Sequence, residues 1–182
     1  MATTPKFDAV ALLKADHRKV EDLFAKFEKT KAADKKQRLA QEICRELTVH
    51  TLIEEEIFYP ACRGEIKDET VSEAYVEHDG AKMLIAELEA GNPEDDFYDA
   101  KMKVLSEEIK HHVHEEEMRS EGMFAQAKAA ELDLEDLGER MAARMKELHG
   151  QIAAEGLPKP KTRTVTGPAL EKGAPLREAA QA

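Results

Sequence analysis

The stretch ELTVHTLIEEEIFYPA, residues 46–61, contains the pattern on which the fold assignment depends. Its apolar residues recur at the spacing of one face of an amphipathic α-helix. His50 and Glu54 occupy a gap in that apolar stripe, so an imidazole and a carboxylate lie one turn apart on the face directed at the core. The sequence predicts a helix from about Asp34 to Cys62 that carries two polar side chains inward.

Three other segments repeat this combination of an apolar stripe and an inward polar residue. His17, His78 and His112 stand in the register of their stripes, and Glu116 follows at the same spacing as Glu54 follows His50. The predicted helices run from about Asp8 to Lys29, from Asp68 to the stop at Gly91-Asn92-Pro93, and from Asp95 or Asp96 through Glu116.

A fifth helix is predicted from about Asp133 to Glu155, with Asp133 and Asp136 resembling a capping pair. Proline and glycine recur after it, so residues 156–182 are predicted to be a disordered, solvated tail beside a domain at residues 8–155. The tail is mildly basic and the rest of the chain is acidic, so binding of the tail to the bundle or to a partner is kept as the alternative.

The connections between these amphipathic helices are short, which places neighbouring helices antiparallel. Charged residues make up 36% of the chain and tryptophan is absent, a composition that favours helices. The predicted fold class is all-α, an up-down-up-down four-helix bundle with an additional C-terminal helix and a disordered tail.

The net charge of -11 argues against nucleic acid and anionic membranes as partners, because both require clustered basic residues. No apolar run approaches the roughly 20 residues that span a bilayer, and the first residues lack a secretory pattern. Cys44 and Cys62 lie about 27 Å apart along one predicted helix, at roughly 1.5 Å per residue, so they cannot pair. Free thiols and the absence of a signal predict a cytoplasmic protein.

Four predicted helices therefore direct ligand-type side chains at one axis. Burying two carboxylates among apolar neighbours is unfavourable unless they are paired or bind metal, and no lysine or arginine lies on the same predicted stripes. Imidazole and carboxylate suit iron, manganese or zinc. A metal site is therefore favoured over separate, hydrogen-bonded core histidines. The candidate ligands are His17, His50, Glu54, His78, His112 and Glu116.

The fourth helix offers a second pair at the same spacing, since Glu115 follows His111 as Glu116 follows His112. The preceding apolar residues lead in helical steps to His112, whereas His111 lies about 100° away around the helix. This register favours His112 and Glu116. The glutamates next to the candidate ligands are predicted to be solvated. As the alternative, one of them supports a ligand histidine through a hydrogen bond. These glutamates are Glu55, Glu56, Glu115 and Glu117.

The segments around these residues resemble the hemerythrin-like, or HHE cation-binding, domain family. The resemblance covers about Ala9 to Phe124 and lies in LLKADHRKVEDLF, ELTVHTLIEEEIFYPA, YVEHDGAKMLIAELE and VLSEEIKHHVHEEE. It implies a four-helix bundle with two iron ions bridged by oxo or hydroxo, with the two glutamates bridging and the histidines capping them. It also implies O2 or another small diatomic or peroxide ligand as the partner.

Two features depart from the family pattern. Hemerythrin oxygen carriers place two histidines on the third helix, whereas Ala74 and Lys82 lie one turn either side of His78. One metal would therefore lack a ligand, which argues against simple oxygen carriage. The segment MRSEG, residues 118–122, predicts that the fourth helix bends or ends there.

The leading interpretation is a non-haem di-iron protein that binds O2 or a related small molecule, or senses oxygen, iron or redox state. The alternative is a di-iron enzyme that reduces or dismutates peroxide or nitric oxide. A structural zinc site ranks below both, because such sites are usually four-coordinate and rich in thiolates.

Overall fold

The computed structural model describes residues 8–167, which fold into helices without any strand. A π-helical turn at Glu54–Phe58 interrupts the long second helix. The α-helices are α1 (Ala9–Lys29), α2 (Ala33–Ile53), α3 (Tyr59–Cys62), α4 (Asp68–Ala90), α5 (Tyr98–Glu117), α6 (Met123–Ala129) and α7 (Leu134–Glu155). The predicted all-α fold class is confirmed.

The four long helices α1, α2, α4 and α5 form the bundle. Helix α2 packs against α1 and α4, and α5 packs against α4 and α1, which closes the ring. Helix α7 lies along α1, α2 and the π-helical turn, as the additional helix of the prediction. Its start is capped as predicted, since Asp133 accepts a hydrogen bond of 3.0 Å from the amide of Asp136.

The core consists of two apolar clusters separated along the bundle axis. One cluster includes Leu13 of α1 and Ala74 of α4, and the other includes Val20 and Ala81 of the same helices. The bundle therefore has a layer between them, at the level of residue 17 of α1 and residue 78 of α4. Polar side chains in this layer are surrounded by apolar residues on both sides along the axis.

The fourth bundle helix ends at Glu117, as the MRSEG segment predicts, and the short helix α6 follows. Gly122 permits this connection, because a Cβ atom there would lie 2.6 Å from the carbonyl oxygen of Glu116. Neither α6 nor the π-helical turn was predicted from the sequence. A local hydrophobic pattern records neither element, because tertiary contacts can override local preference.

Helix α7 ends at Gly156, whose φ of 82° lies in the left-handed region that glycine adopts without strain. Residues 157–167 are non-helical and mostly exposed. Within them, the amides of Arg163 and Thr164 each donate a 2.7 Å hydrogen bond to Asp79 Oδ2 on α4. This part of the predicted tail thus contacts the bundle. The remainder of that tail, residues 168–182, lies outside the described residues.

Cys44 and Cys62 are free and fully buried, consistent with the predicted absence of a disulfide between them. Over residues 8–167, none of the helices has both the length and the apolar character needed to cross a membrane.

Candidate metal centre

All six candidate ligands predicted from the sequence lie in the layer between the two apolar clusters, and none is more than 5% exposed. Each long helix contributes to the layer. The contributors are His17 from α1, His50 from α2, Glu54 from the π-helical turn, His78 from α4, and His112 and Glu116 from α5.

One group of converging donor atoms comes from His17, His50, Glu54 and Glu116, all within 4.8 Å of one another. The Nε2 atoms of His17 and His50 are 3.2 Å apart. Glu54 Oε2 lies 3.2 Å from His50 Nε2, and Glu116 Oε2 lies 3.3 Å from His17 Nε2. Two imidazoles and two carboxylates thus face one point, which suits a metal of borderline hardness.

A second group consists of Glu54, His78 and His112. The two imidazole Nε2 atoms are 3.2 Å apart, and Glu54 Oε2 lies 3.3 Å from that of His78. Glu116 also reaches this group, with Oε1 at 3.6 Å from His112 Nε2. Both carboxylates therefore span the two groups, an arrangement able to bridge two metal ions.

The hydrogen bonds on the outer side of the imidazoles determine which nitrogen carries the proton. Glu117 accepts from His17 Nδ1 at 2.8 Å, and Glu77 accepts from His112 Nδ1 at 2.7 Å. An ionised carboxylate can only accept, so these two Nδ1 atoms carry hydrogen, and each neutral ring directs the lone pair of its Nε2 atom inward, where it can bind a cation.

Glu55 performs the same role for the third imidazole. Its Oε1 atom accepts from His78 Nδ1 at 3.1 Å, and its side chain is buried. The expectation that Glu55 is solvated is therefore wrong, and the alternative of support for a ligand histidine describes it. The corresponding atom of His50 lies 3.6 Å from Asp16 Oδ2, beyond hydrogen-bond distance.

A buried lysine lies near the centre, contrary to the expectation that the inward stripes lack one. Lys82 Nζ contacts Glu55 Oε1 at 2.6 Å and Asp79 Oδ1 at 3.2 Å. These two carboxylates thus neutralise the charge of Lys82 on the outer side of His78. Among residues 8–167, no lysine or arginine forms an ion pair with Glu54 or Glu116.

The electrostatics of the two inner carboxylates fit a cation. Burial and the charge of Glu116 raise the pKa of Glu54, so without a cation this pair retains a proton. Glu54 Oε1 is buried and has no hydrogen-bond partner among the described residues. A buried carboxylate oxygen without a hydrogen-bond partner is costly unless a metal binds there.

Tyr59 is a functional candidate that the sequence reasoning missed. Its hydroxyl lies 3.0 Å from His78 Nε2, 3.2 Å from Glu116 Oε1 and 3.4 Å from Glu54 Oε2. The π-helical turn explains its position, because the amide of Tyr59 bonds to the carbonyl of Glu54 and aligns residues five apart. Burial and the charges of Glu116 and Glu54 raise the pKa of Tyr59, which keeps the hydroxyl protonated.

A cavity of about 10 Å³ adjoins the centre, with room for roughly one water-sized molecule. The imidazoles of both groups line it together with apolar side chains such as Val20 and Leu47. Helix α6 covers the layer at His17, where the Phe124 ring stacks on the imidazole at a centroid distance of 5.8 Å.

The alternative pair on α5 lies elsewhere. His111 Nε2 contacts Glu115 Oε1 at 3.2 Å on the outside of the bundle, with the His111 side chain 65% exposed. The structure therefore brings His112 and Glu116 into the buried layer and leaves His111 and Glu115 at the surface.

The family model of the hemerythrin HHE cation binding domain matches residues 8–124. The chain belongs to this family. Metal binding is thereby established as the general property of the domain, and the two buried His/Glu groups of this HHE domain offer suitable donors. The matched range ends at Phe124, the α6 residue that covers the centre.

A solved structure with a similar fold is that of a hemerythrin HHE cation binding domain-containing protein from Mycobacterium kansasii. It is 24% identical, covers 82% of this chain and 94% of that chain, and superposes with a TM-score of 0.67. At this level of identity the similarity concerns the fold.

A curated relative, named DNA nickase, from Nostoc sp. (strain PCC 7120) is 28% identical over 106 residues. The match covers 58% of this chain and 30% of that protein. The chain thus spans under a third of this relative, whose name describes the whole of a longer protein. The expectation that this HHE domain has no nucleic-acid partner stays a prediction.

Proposed function

We propose that the buried layer holds two iron ions and that this HHE domain binds O2 or a molecule of similar size, or senses oxygen, iron or redox state. The observation that carries the proposal is the pair of donor groups that share Glu54 and are both reached by Glu116. A shared carboxylate between two imidazole pairs suits two metal ions better than one.

In this proposal each imidazole pair holds one iron. His17 and His50 would hold the first, and His78 and His112 would hold the second, with Glu54 within reach of both. Iron bound there supplies a reversible one-electron change and open coordination positions for a small ligand. The outer carboxylates orient the imidazoles and raise their basicity, as outer partners of metal-binding histidines generally do.

The donor chemistry favours iron over a closed structural zinc site. Neither cysteine belongs to the two donor groups, and structural zinc sites are usually rich in thiolates.

The position of Tyr59 bears on the ligand that the second iron lacks relative to oxygen carriers. Its hydroxyl lies beside the His78 group and stays protonated, so it would donate a hydrogen bond there and would not replace the missing histidine as a ligand.

The surroundings of the layer favour a small ligand. The adjoining cavity has room for roughly one water-sized molecule, and the apolar side chains in its lining would disfavour charged species. O2, nitric oxide and hydrogen peroxide are all of this size. The net charge of -11 also disfavours an anionic ligand.

Turnover of peroxide is a second candidate, and the Tyr59 hydroxyl favours it. This hydroxyl stays protonated because burial raises its pKa, and it lies within 3.4 Å of three inner side chains. A buried proton donor beside the site assists a reaction that forms water, whereas reversible O2 binding does not require one.

The test is the visible spectrum of iron-loaded, anaerobically reduced protein before O2 is added, afterwards, and once O2 is removed. A band that appears and then disappears would support reversible binding. A lasting ferric spectrum together with O2 release from hydrogen peroxide would support the enzyme. Failure to retain iron after reconstitution would overturn both candidates.

A further inference from the structure

A second group of metal-type ligands lies outside the buried layer, on the surface between α4 and α5. His111 Nε2 lies 3.2 Å from Glu115 Oε1 and 3.5 Å from Glu77 Oε1. These three donor atoms all lie within 4.8 Å of one another. One imidazole and two carboxylates from two helices thus converge on one point, as in the buried groups.

The helical register builds this group directly beside the inner one. His111 and Glu115 are four residues apart on α5, so their side chains stack on one face. That face is rotated by about 100° from the face of His112 and Glu116, because His111 and Glu115 each precede their inner counterpart by one residue. Glu77 completes the group from α4, one residue before His78.

The local charge is strongly negative. Glu108 lies one turn before His111, and its carboxylate extends over Gly80, 3.7 Å from where a Cβ atom would be. Within the described part of the chain, no lysine or arginine pairs with Glu77, Glu108 or Glu115. Burial and the charge of Glu77 raise the pKa of Glu108, which shows that the carboxylates repel one another.

Glu77 connects the surface group to the buried layer. Its Oε2 atom accepts the 2.7 Å hydrogen bond from His112 Nδ1, and its Oε1 atom faces His111. One carboxylate therefore supports an inner imidazole and also contributes a donor to the outer group. This gives Glu77 a defined orientation, because its inner hydrogen bond holds the outward oxygen in place.

We propose that Glu77, His111 and Glu115 form an exterior site for one divalent cation, of which Zn²⁺ is the probe of choice. Three nitrogen and oxygen donors leave further positions for water, as in open zinc sites. The cation neutralises carboxylates that have no lysine or arginine partner among the described residues. This site has its own donor atoms at the surface and is linked to the buried centre through Glu77.

The test is a calorimetric titration of the full chain with Zn²⁺ after its buried centre has been loaded with iron. The expected result is one additional equivalent of bound Zn²⁺. His111→Gln should weaken this binding by more than about tenfold, because even residues that only support a metal ligand contribute about 10- to 100-fold in affinity. His114→Gln, an exposed histidine on the same helix, is the matched control and should bind as the unmodified chain does.

The proposal is overturned if the iron-loaded protein takes up no further Zn²⁺, or if His111→Gln binds it unchanged. The same titration on metal-free protein distinguishes the exterior site from the buried centre. His111→Gln should lack the equivalent of Zn²⁺ that binds at the exterior site. His17→Ala, which alters only the inner layer, should keep that equivalent. Nuclear magnetic resonance of the imidazoles provides the location, since Zn²⁺ should shift the signals of His111 and leave those of His114.

Discussion

The hydroxyl oxygen of Tyr59 lies 3.0 Å from Nε2 of His78, although the two residues belong to different helices. The π-helical turn creates this relationship by aligning Tyr59 with Glu54, one of the two inner carboxylates. Such turns occur often at functional sites, because one extra residue redirects a side chain without breaking the helix. The second imidazole group therefore has a protonated hydroxyl within hydrogen-bond distance of His78.

Replacement of Tyr59 by phenylalanine should preserve the fold and weaken iron retention. The ring keeps its contacts with Tyr75, while the hydroxyl beside His78 is lost. We expect the rate of iron loss to a chelator to rise by about 10- to 100-fold, the usual effect of removing support from a metal site.

Tyr98→Phe provides the control for this measurement. Tyr98 is also buried, lies in the other apolar cluster, and its hydroxyl has no hydrogen-bond partner among residues 8–167. Its replacement should leave the rate of iron loss unchanged. Equal iron loss from both variants would contradict a specific role for Tyr59.

Metal stoichiometry should respond differently to the loss of one imidazole and of the shared carboxylate. His17→Ala removes a donor from one group and leaves Glu54, His78 and His112 in place. We expect about one iron per chain in this variant, and less in Glu54→Gln, because Glu54 belongs to both groups. Elemental analysis alongside circular dichroism provides the measurement. Complete iron loss in His17→Ala would contradict independent groups.

The contact between Arg144 and Glu56 should stabilise the π-helical turn. Arg144 of α7 makes two hydrogen bonds to the carboxylate of Glu56, of 2.7 and 3.2 Å, and is only 28% exposed. We expect Arg144→Ala to lower the free energy of unfolding by about 1 kcal/mol, the upper range for surface pairs. Arg140→Ala is the control in urea titrations, since its pair with Asp136 is exposed and within one helix. Equal losses would show that the turn needs no such contact.

The contact of Thr164 with α4 should protect the backbone at this point. Its hydroxyl donates a 2.8 Å hydrogen bond to Asp79 Oδ2, which also accepts from the amides of Arg163 and Thr164. Thr164→Val should accelerate hydrogen exchange of these amides by about fivefold, which corresponds to a net loss of about 1 kcal/mol. Thr162→Val, at an exposed position nearby, should not. Unchanged exchange in Thr164→Val would show that the backbone bonds suffice.

Stability should fall at alkaline pH, and Cys44 should contribute to that fall. Burial, with the charge of Glu89, raises the pKa of Cys44 from 9.0 to about 12. Because the folded-state pKa exceeds the unfolded value, the contribution is complete below pH 9 and is lost as pH rises towards 12.

Urea unfolding under reducing conditions between about pH 8 and pH 11 measures this effect. The free energy of unfolding should fall less steeply with rising pH in Cys44→Ala than in the unmodified chain. Some slope remains, because burial also raises the pKa of Tyr98 to about 12. Identical slopes would mean that Cys44 does not resist ionisation in the fold.

Several parts of the candidate centre could be predicted because they depend on spacing within one helix. His50 with Glu54 and His112 with Glu116 were located by apolar periodicity alone, and both pairs lie in the buried layer. Tyr59 could not be found in this way. In an uninterrupted α-helix it would point about 140° away from Glu54, and the hydrophobic pattern gives no sign of the π-helical turn.

The consecutive glutamates illustrate the same limit. Glu55 and Glu117 each adjoin an inner carboxylate in sequence, and both support histidines on other helices. Nothing in the local pattern distinguishes them from Glu56, which binds Arg144 instead. The choice depends on which helix lies opposite each one.

By itself, the sequence determined the five long helices and the six candidate ligands that face the axis, because both follow from local periodicity. Only the tertiary structure decided which atoms meet there. His17 and Glu117 are 100 residues apart in the chain and 2.8 Å apart in the fold. Such contacts depend on the distance and rotation between helices, which are set by packing of the whole core and not by spacing along any one helix.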